Sequence, residues 1–502
     1  MPNWLRRLAL GANFAILALF LTSAAAADIF NVMDPQFDPY ARANIDHRDR
    51  AFDDARRFRL AYAAAARAGG GTIYVPAGTM LRFESIDPAD GQADSHVFIR
   101  HPAIRVLGDS RGGGPAGPDH GSVITSLSTN LTLFKIGFTT SDPLFNRGSS
   151  ANGTSFENLH LTRHPELEDG SKPTLAATAN GIAIDTIGQV EAFIYRTSIT
   201  NCRVENQHTG LRSFRRGAKR AARPTYLTIQ QCEFSDNQSD GVMLQDWGSI
   251  VVVASFFQAN GRDGIRAFAY RPLWGGTMNI TASGFANNGE FGLRLRKYST
   301  YDNGADWVPR DVHIAACQFD YNGAGAINAR SIGNINISAC SITANTRNPR
   351  FADQPAAEFV QCTQLAISGT TFDGNNASAL RLSDLWAASI SGCNFTWNNN
   401  NAISGTAGQH PAVVIDGGRQ VVFGACAFAG GRLGRQQYGV MFTGAPRGVM
   451  LTGLSFEEGT TDPIMVNTKD RLRQVRVEYM TPNGDAAVFT GAPIATSGSN
   501  LP

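Results

Sequence analysis

ISACSITANTRN, residues 337–348, decides the fold once it is set beside ISGCNFTWNNNN, residues 390–401, and IAACQFDYNGAG, residues 314–325. Each writes isoleucine, a small pair, cysteine, an apolar residue two places on, and asparagine five places on. Aligned on the slot of Cys340, ten segments fall into line, with Cys202, Cys232, Ser255, Ser283, Cys317, Cys340, Thr370, Cys393, Cys426 and Leu454 in the slot. Phenylalanine stands two later in all but two of them, where Val204 and Ile342 replace it. Seven consecutive repeats carry asparagine five later: Asn237, Asn260, Asn288, Asn322, Asn345, Asn375 and Asn398. The gaps between slots are 30, 23, 28, 34, 23, 30, 23, 33 and 28 residues.

Alternating apolar residues mark strands with one face inward. Ile335 and Ile337 alternate, and so do Cys340 and Ile342, but an odd step separates the pairs. A straight strand cannot bury both on one side, whereas a strand, a corner and a second strand can. After the asparagine, Gly241, Gly264 and Gly292 each lead a further apolar strand. Short strands, corners and periods of this length describe a coil of parallel strands in which equal positions stack. Asparagines are expected at a turn, tolerating unusual backbone angles and bonding neighbouring coils. Helical repeats fail, because apolar residues alternate with period two and glycine and asparagine interrupt each run. The same register explains the cysteines. They share a slot with serine and threonine, as small buried residues do, and stacked neighbours hold their side-chain vectors parallel, so free thiols are expected.

The chain opens with Arg6 and Arg7, an apolar run from Gly11 to Leu21 and small residues at Ala25, Ala26 and Ala27. This is the pattern of an export signal over 1–27, and it predicts a secreted or periplasmic protein with no membrane span in the mature chain. Over 28–502 the basic and acidic side chains number 42 each, because the first 27 residues hold two of the 44 basic residues and no acid. Nucleic acid is therefore not an expected partner. The domain plan is a coil over 28–490, with a cap and first strand over 28–83, ten aligned coils over 195–460 and a flexible tail over 491–502.

The front end reads differently. In FDDARRFRLAYAAAARAGGGTIYVPAGTM, residues 52–80, Phe58, Ala61, Tyr62 and Ala65 fall at helical spacing. Asp53 or Asp54 caps the start and Gly69 follows the end. Such a helix would cover the open end of the coil. Asp53, Asp54, Gly69, Gly70, Gly71, Val75, Pro76, Gly78 and Thr79, preceded by IFNVMDP from Ile29, resemble the opening segment of the pectate-lyase-like, glycoside hydrolase family 28-related group. The resemblance implies an all-β fold, a right-handed parallel β-helix (a single-stranded solenoid) with a short N-terminal capping helix. It also implies lyases, hydrolases and epimerases of polysaccharides, and phage tailspikes. The chain lacks the Gly-His-Gly, Asp-Pro-His-Asp and Trp-x-Asp-His motifs of particular branches, so no catalytic residue transfers.

The residues themselves place the chemistry. Three consecutive insertions are polar and aromatic: RRGAKRAARPTY from Arg215, FAYRPLWGG from Phe268 and RKYSTYDNGADWVPRD from Arg296. Alternation turns Arg212, Arg266, Arg294, Arg296 and Tyr298 outward, and arginine suits an anionic sugar because its fork fits a carboxylate. Asp240 and Asp263 precede glycines at one offset and should stack, with Glu290 near the next coil. Stacked carboxylates repel unless a proton, an arginine or a divalent cation such as calcium intervenes, which leaves the cofactor open. Turn chemistry is the competing explanation of the aspartates, and a solvated charged face that of the arginines. Tyr270, Trp274, Tyr298, Tyr301 and Trp307 offer faces for sugar rings, or simply loop packing. Three functions follow. A lyase would neutralise a uronate with Arg266 and Arg294 and pass its proton to Lys297 or Tyr298. A glycosidase would use Asp240, Asp263 or Glu290. A carbohydrate-binding coil would do neither. Arg330, beyond the long insertions, is expected to matter less.

Overall fold

The computed structural model describes residues 28–38, 53–112, 121–139, 151–163, 173–187, 192–214, 222–269, 276–297, 311–399, 410–430, 438–456, 462–467, 473–480, 486–491 and 497–500. The expected export signal over 1–27 lies outside them. Each coil contributes three strands. The first face holds strands such as Asp311–Ala315 and Asn334–Ser338, and the second holds Gln318–Asp320 and Ser341–Thr343. The third holds Phe291–Lys297, Gly325–Arg330, Ala357–Val360 and Leu380–Ser383. Pairing between coils is parallel and in the register of the repeat: Ile314 faces Ile337, and Phe285 faces Phe319. The first two faces form one continuous sheet and the third a separate 14-stranded sheet. The chain is thus a parallel β-helix, with the phenylalanine and isoleucine columns packed inside.

The corner that the odd step demands is a single left-handed residue. Immediately before every slot, from Asn201 to Gly453, φ lies between 48° and 61°. Most of these residues are alanine or glycine, since a left-handed L-residue costs roughly 1–2 kcal/mol and a branched side chain more. Strand pairing on both sides offsets the cost. The N–H of Ala316, for example, donates to Ser338 O at 3.0 Å on the next coil.

The asparagine ladder corrects one expectation. The residue before each asparagine takes the left-handed angle, from Asp236 to Trp397 with φ of 52° to 59°, and the asparagine does not. The asparagines do the bonding: Asn288 Nδ2 donates to Asn322 Oδ1 at 2.9 Å, and Asn322 Nδ2 to Asn345 Oδ1 at 2.9 Å. All seven cysteines are free and buried. Burial pushes the thiols of Cys232 and Cys362 up to about 11, so both stay protonated. Cys362 lies outside the aligned slots but repeats the device at another corner, directly after left-handed Gln361.

Helix α1, Asp54–Arg67, closes the N-terminal end. Its buried side includes Phe58, Ala61, Tyr62 and Ala65, the four residues at helical spacing. Phe58 meets Phe83 and Phe134 edge-on, with ring centroids 5.5 and 5.3 Å apart. The Asp53 carboxylate accepts from Ala55 N at 3.0 Å and from Glu84 N at 2.9 Å, tying the helix start to the coil. Asp53→Ala is expected to cost about 1–2 kcal/mol in urea unfolding, the upper range for a cap, because two N–H groups lose their acceptor. A loss below a few tenths would mean that the cap is idle. At the far end the expected tail holds a strand, Ser497–Asn500, antiparallel to Asp462–Asn467. No described helix is long and apolar enough to cross a membrane.

Candidate functional site

The third face presents two outward columns. In the first, Arg212 pairs with Met243, Met243 with Arg266, Arg266 with Arg294, Arg294 with Asn328, Asn328 with Glu358 and Glu358 with Arg381. The expected arginine line is present, with Met243 between its first two members. In the second, Phe268, Arg296, Arg330, Val360, Ser383 and Asp416 succeed one another. Lys297 pairs with buried Ala269, on the parity opposite to Arg294 and Arg296. Arg212 donates to Ala177 O at 2.6 Å and lies over the Phe214 ring.

Asp240 and Asp263 do stack, but under the surface: their exposures are 1% and 0%. Asp240 Oδ1 accepts from Asp263 N at 3.3 Å, and Asp263 Oδ1 from Phe291 N at 2.9 Å. An arginine intervenes, as stacked carboxylates require. Arg266 lies 3.7 Å from Asp240 and 3.8 Å from Asp263, and Arg294 lies 3.1 Å from Asp263. Glu290 pairs with Arg294 and, at 3.3 Å, with Arg262. Among the described residues, Asp263 Oδ2 and the Nε atoms of Arg266 and Arg294 have no hydrogen-bond partner. Burial pushes the Asp263 carboxyl up to about 7; Arg294 opposes this and the Asp240 charge adds to it. Burial also raises Asp240, against Arg266 and Arg262. Glu290 is lowered, because the bond and charge of Arg294 outweigh its burial.

These shifts have a consequence for stability. An unfolded aspartate loses its proton near pH 4, whereas folded Asp263 holds it toward 7. In that window the folded state binds more protons, so this group removes stability as pH rises. Relative to Asp263→Asn, the wild type should lose thermal stability between about pH 4 and about pH 7. A constant difference across the window would contradict the shift.

Five successive coils line an open groove of ≈ 330 Å³ next to this cluster, through Arg296, Asn328, Arg330, Glu358, Arg381, Asp384 and Asp416 among others. Asn328 links its walls, accepting from Arg296 at 3.4 Å and donating to Glu358 at 2.8 Å. Arg381 pairs with Asp416 at 3.2 Å. Arg330 is exposed and has no ion pair or hydrogen bond from its side chain among the described residues, and Arg296 has no carboxylate partner there. Arg330 therefore lines the groove, although it lies beyond the long insertions. Trp386, two positions past Asp384, is 60% exposed, with Arg419 5.2 Å over its ring. Tyr270, Trp274, Tyr298, Tyr301 and Trp307 lie outside the described residues. Asn328, Glu358, Arg381, Asp384 and Asp416 escaped the sequence reading, although carrying the alternation on from Arg296 reaches most of them. No group of three or more metal-ligating side chains is placed to hold an ion among the described residues.

The family described as "Right handed beta helix region" matches residues 180–345. The chain is a right-handed parallel β-helix. Among solved structures this β-helix resembles the A-module of the Azotobacter vinelandii mannuronan C-5 epimerase AlgE4, with 15% identity and a TM-score of 0.53 over 80% of this chain and 95% of that one. It also resembles tailspike protein 3 of bacteriophage CBA120, with 13% identity and a TM-score of 0.51 over 91% of this chain and 68% of that one. Both likenesses are in fold. Among curated proteins no sequence matches this β-helix.

Proposed function

We propose that this β-helix is an exported enzyme that binds an acidic polysaccharide along its third face and cleaves it by β-elimination. One observation carries the reading. Arg296 and Arg330 are register neighbours that line an open groove without a carboxylate partner among the described residues. Two such guanidiniums suit the carboxylate of a uronate residue. A structural neighbour named for mannuronan is consistent with a saccharide ligand.

Elimination begins with loss of the proton on the carbon next to the uronate carboxylate. Guanidinium contacts disperse the charge that develops there. The freed electron pair forms a carbon–carbon double bond, the glycosidic bond to the leaving oxygen breaks, and that oxygen takes up a proton. Tyr298 continues the alternation of Arg294 and Arg296 in sequence and, as a phenolate stabilised by neighbouring arginines, is the proton acceptor in this reading, the resulting phenol then returning that proton to the leaving oxygen. Arg266 and Arg294 support the face from below, engaged by Asp240, Asp263 and Glu290.

Glu358 and Asp384 in the same groove favour a second reading, glycoside hydrolysis by paired carboxyls. Incubation with acidic and neutral polysaccharides separates the two. Ultraviolet absorbance from an unsaturated product supports elimination. Reducing ends without that absorbance support hydrolysis, and neither product would overturn an enzymatic role. Arg330→Ala should weaken binding of an anionic oligosaccharide by about 1–2 kcal/mol, a charged hydrogen bond discounted for its exposure. Calorimetry showing unchanged affinity would remove Arg330 from the site.

A further inference from the structure

The cluster beside the groove holds three carboxylates and three guanidiniums, with both aspartates buried and the Arg262 side chain 40% exposed. Among the described residues, the charged groups facing Asp263 are Asp240 from the preceding coil, Arg262 and Arg266 from its own, and Glu290 and Arg294 from the next. His208, behind Asp240, is pushed down to about 4, by burial first and then by Arg212 and Arg262, so it is neutral above that range. The cluster is closed on the Asp side and open on the Arg side. Asp240 and Asp263 are sealed, whereas the Arg266 side chain keeps 15% exposure. Arg294 pairs in register with Asn328, whose side chain spans the groove.

We propose that the Asp240–Asp263 pair is a proton-operated switch on polyanion affinity, acting on the groove named above and resting on that functional reading. With every carboxylate ionised the cluster is neutral. With one proton on the pair it carries a net positive charge directly under the third face. The proton sits on sealed carboxyls, while the uncompensated charge faces the groove side through Arg266. Three features of the geometry support the assignment. The two carboxyls share one backbone-bonded stack, Asp263 Oδ2 accepts no hydrogen bond among the described residues, and Arg266 stands at 3.7 and 3.8 Å, beyond hydrogen-bond reach of either. A protonated Asp263 also loosens its hold on Arg294, which leaves that guanidinium to Glu290 and the ligand. The raised carboxyl of Asp263 puts the change near neutral pH. By linkage, a bound polyanion must in turn raise the proton affinity of the pair.

The test uses the full chain, with oligogalacturonate and oligomannuronate as anionic probes and a neutral glucan oligosaccharide as control. Wild-type affinity for an anionic probe should fall roughly fivefold or more between about pH 6 and about pH 8.5, with no change for the neutral one. Asp263→Asn should bind at the acid-side strength throughout. An equal pH slope in Asp263→Asn would overturn the switch and leave the polysaccharide reading standing. Infrared titration of ligand-free protein gives an independent readout. A protonated-carboxyl band should vanish near neutral pH in the wild type and be absent in Asp263→Asn. In Asp240→Asn it should vanish at lower pH, because a like charge has gone. A band that ignores both substitutions would also overturn the switch. If no anionic probe binds at any pH while the band behaves as stated, the polyanion reading fails and the switch loses its ligand with it.

Discussion

Asn322→Ala should destabilise the β-helix by about 4 kcal/mol, from roughly 1–3 kcal/mol for each buried polar group left without a partner. Asn322 is fully buried and stands mid-ladder. Its Oδ1 accepts from Asn288 N at 3.2 Å and from Asn288 Nδ2 at 2.9 Å. Its Nδ2 donates to Phe285 O at 3.0 Å and to Asn345 Oδ1 at 2.9 Å. Alanine strands all of these at once, at a fully buried corner. Asn322→Asp separates donor from acceptor, since aspartate still accepts from Asn288 but cannot donate to Phe285 O. It should cost at least as much at neutral pH, because it adds a buried charge. The measurement is the urea midpoint at constant slope. A shift worth less than about 1 kcal/mol for Asn322→Ala would mean that the ladder is decoration.

The coil was legible because it is written redundantly. Each slot, phenylalanine and asparagine is a vote for the same register, and stacking forces equal positions to share one environment. The capping helix was legible for a related reason: Phe58, Ala61, Tyr62 and Ala65 carry a different period. The site was harder. Asp240 and Asp263 share parity with inward Val242 and Ile265, so their burial was within reach of the alternation. Their likeness to solvent-facing turn aspartates hid it. The arginine line was found, and an arginine between the stacked aspartates stood as one option beside a proton and a cation, because a charge pair depends on three neighbouring coils and no single strand displays it. Arg330 was set aside on the strength of loop lengths. The groove it lines is a feature of the face, made by which outward side chains lack a partner, and only coordinates reveal that.

The second large effect lies in the core. Phe319→Ala should cost about 3–5 kcal/mol, the range for truncating a fully buried aromatic ring. Phe319 has 0% exposure and stacks on Phe285, with ring centroids 4.7 Å apart and planes 6° apart. It belongs to a run of stacked rings from Phe234 through Phe257 and Phe285, with spacings of 5.5 and 5.0 Å. The ring also needs a bare backbone beside it. A side chain on Gly292 would put its Cβ 2.8 Å from the Phe319 ring. Because coils hold only their neighbours, the cavity cannot be closed by distant repacking without breaking the backbone ladders on both sides. The run ends at the next coil, where Ile342 faces Phe319 in register and fills the same position without a ring. Phe319→Ile should therefore be far milder, about 1–2 kcal/mol, since it extends a packing that the chain already uses. Equal losses for the alanine and isoleucine variants would show that the ring stack, not filled volume, stabilises this layer. A loss near zero for both would place Phe319 outside the core.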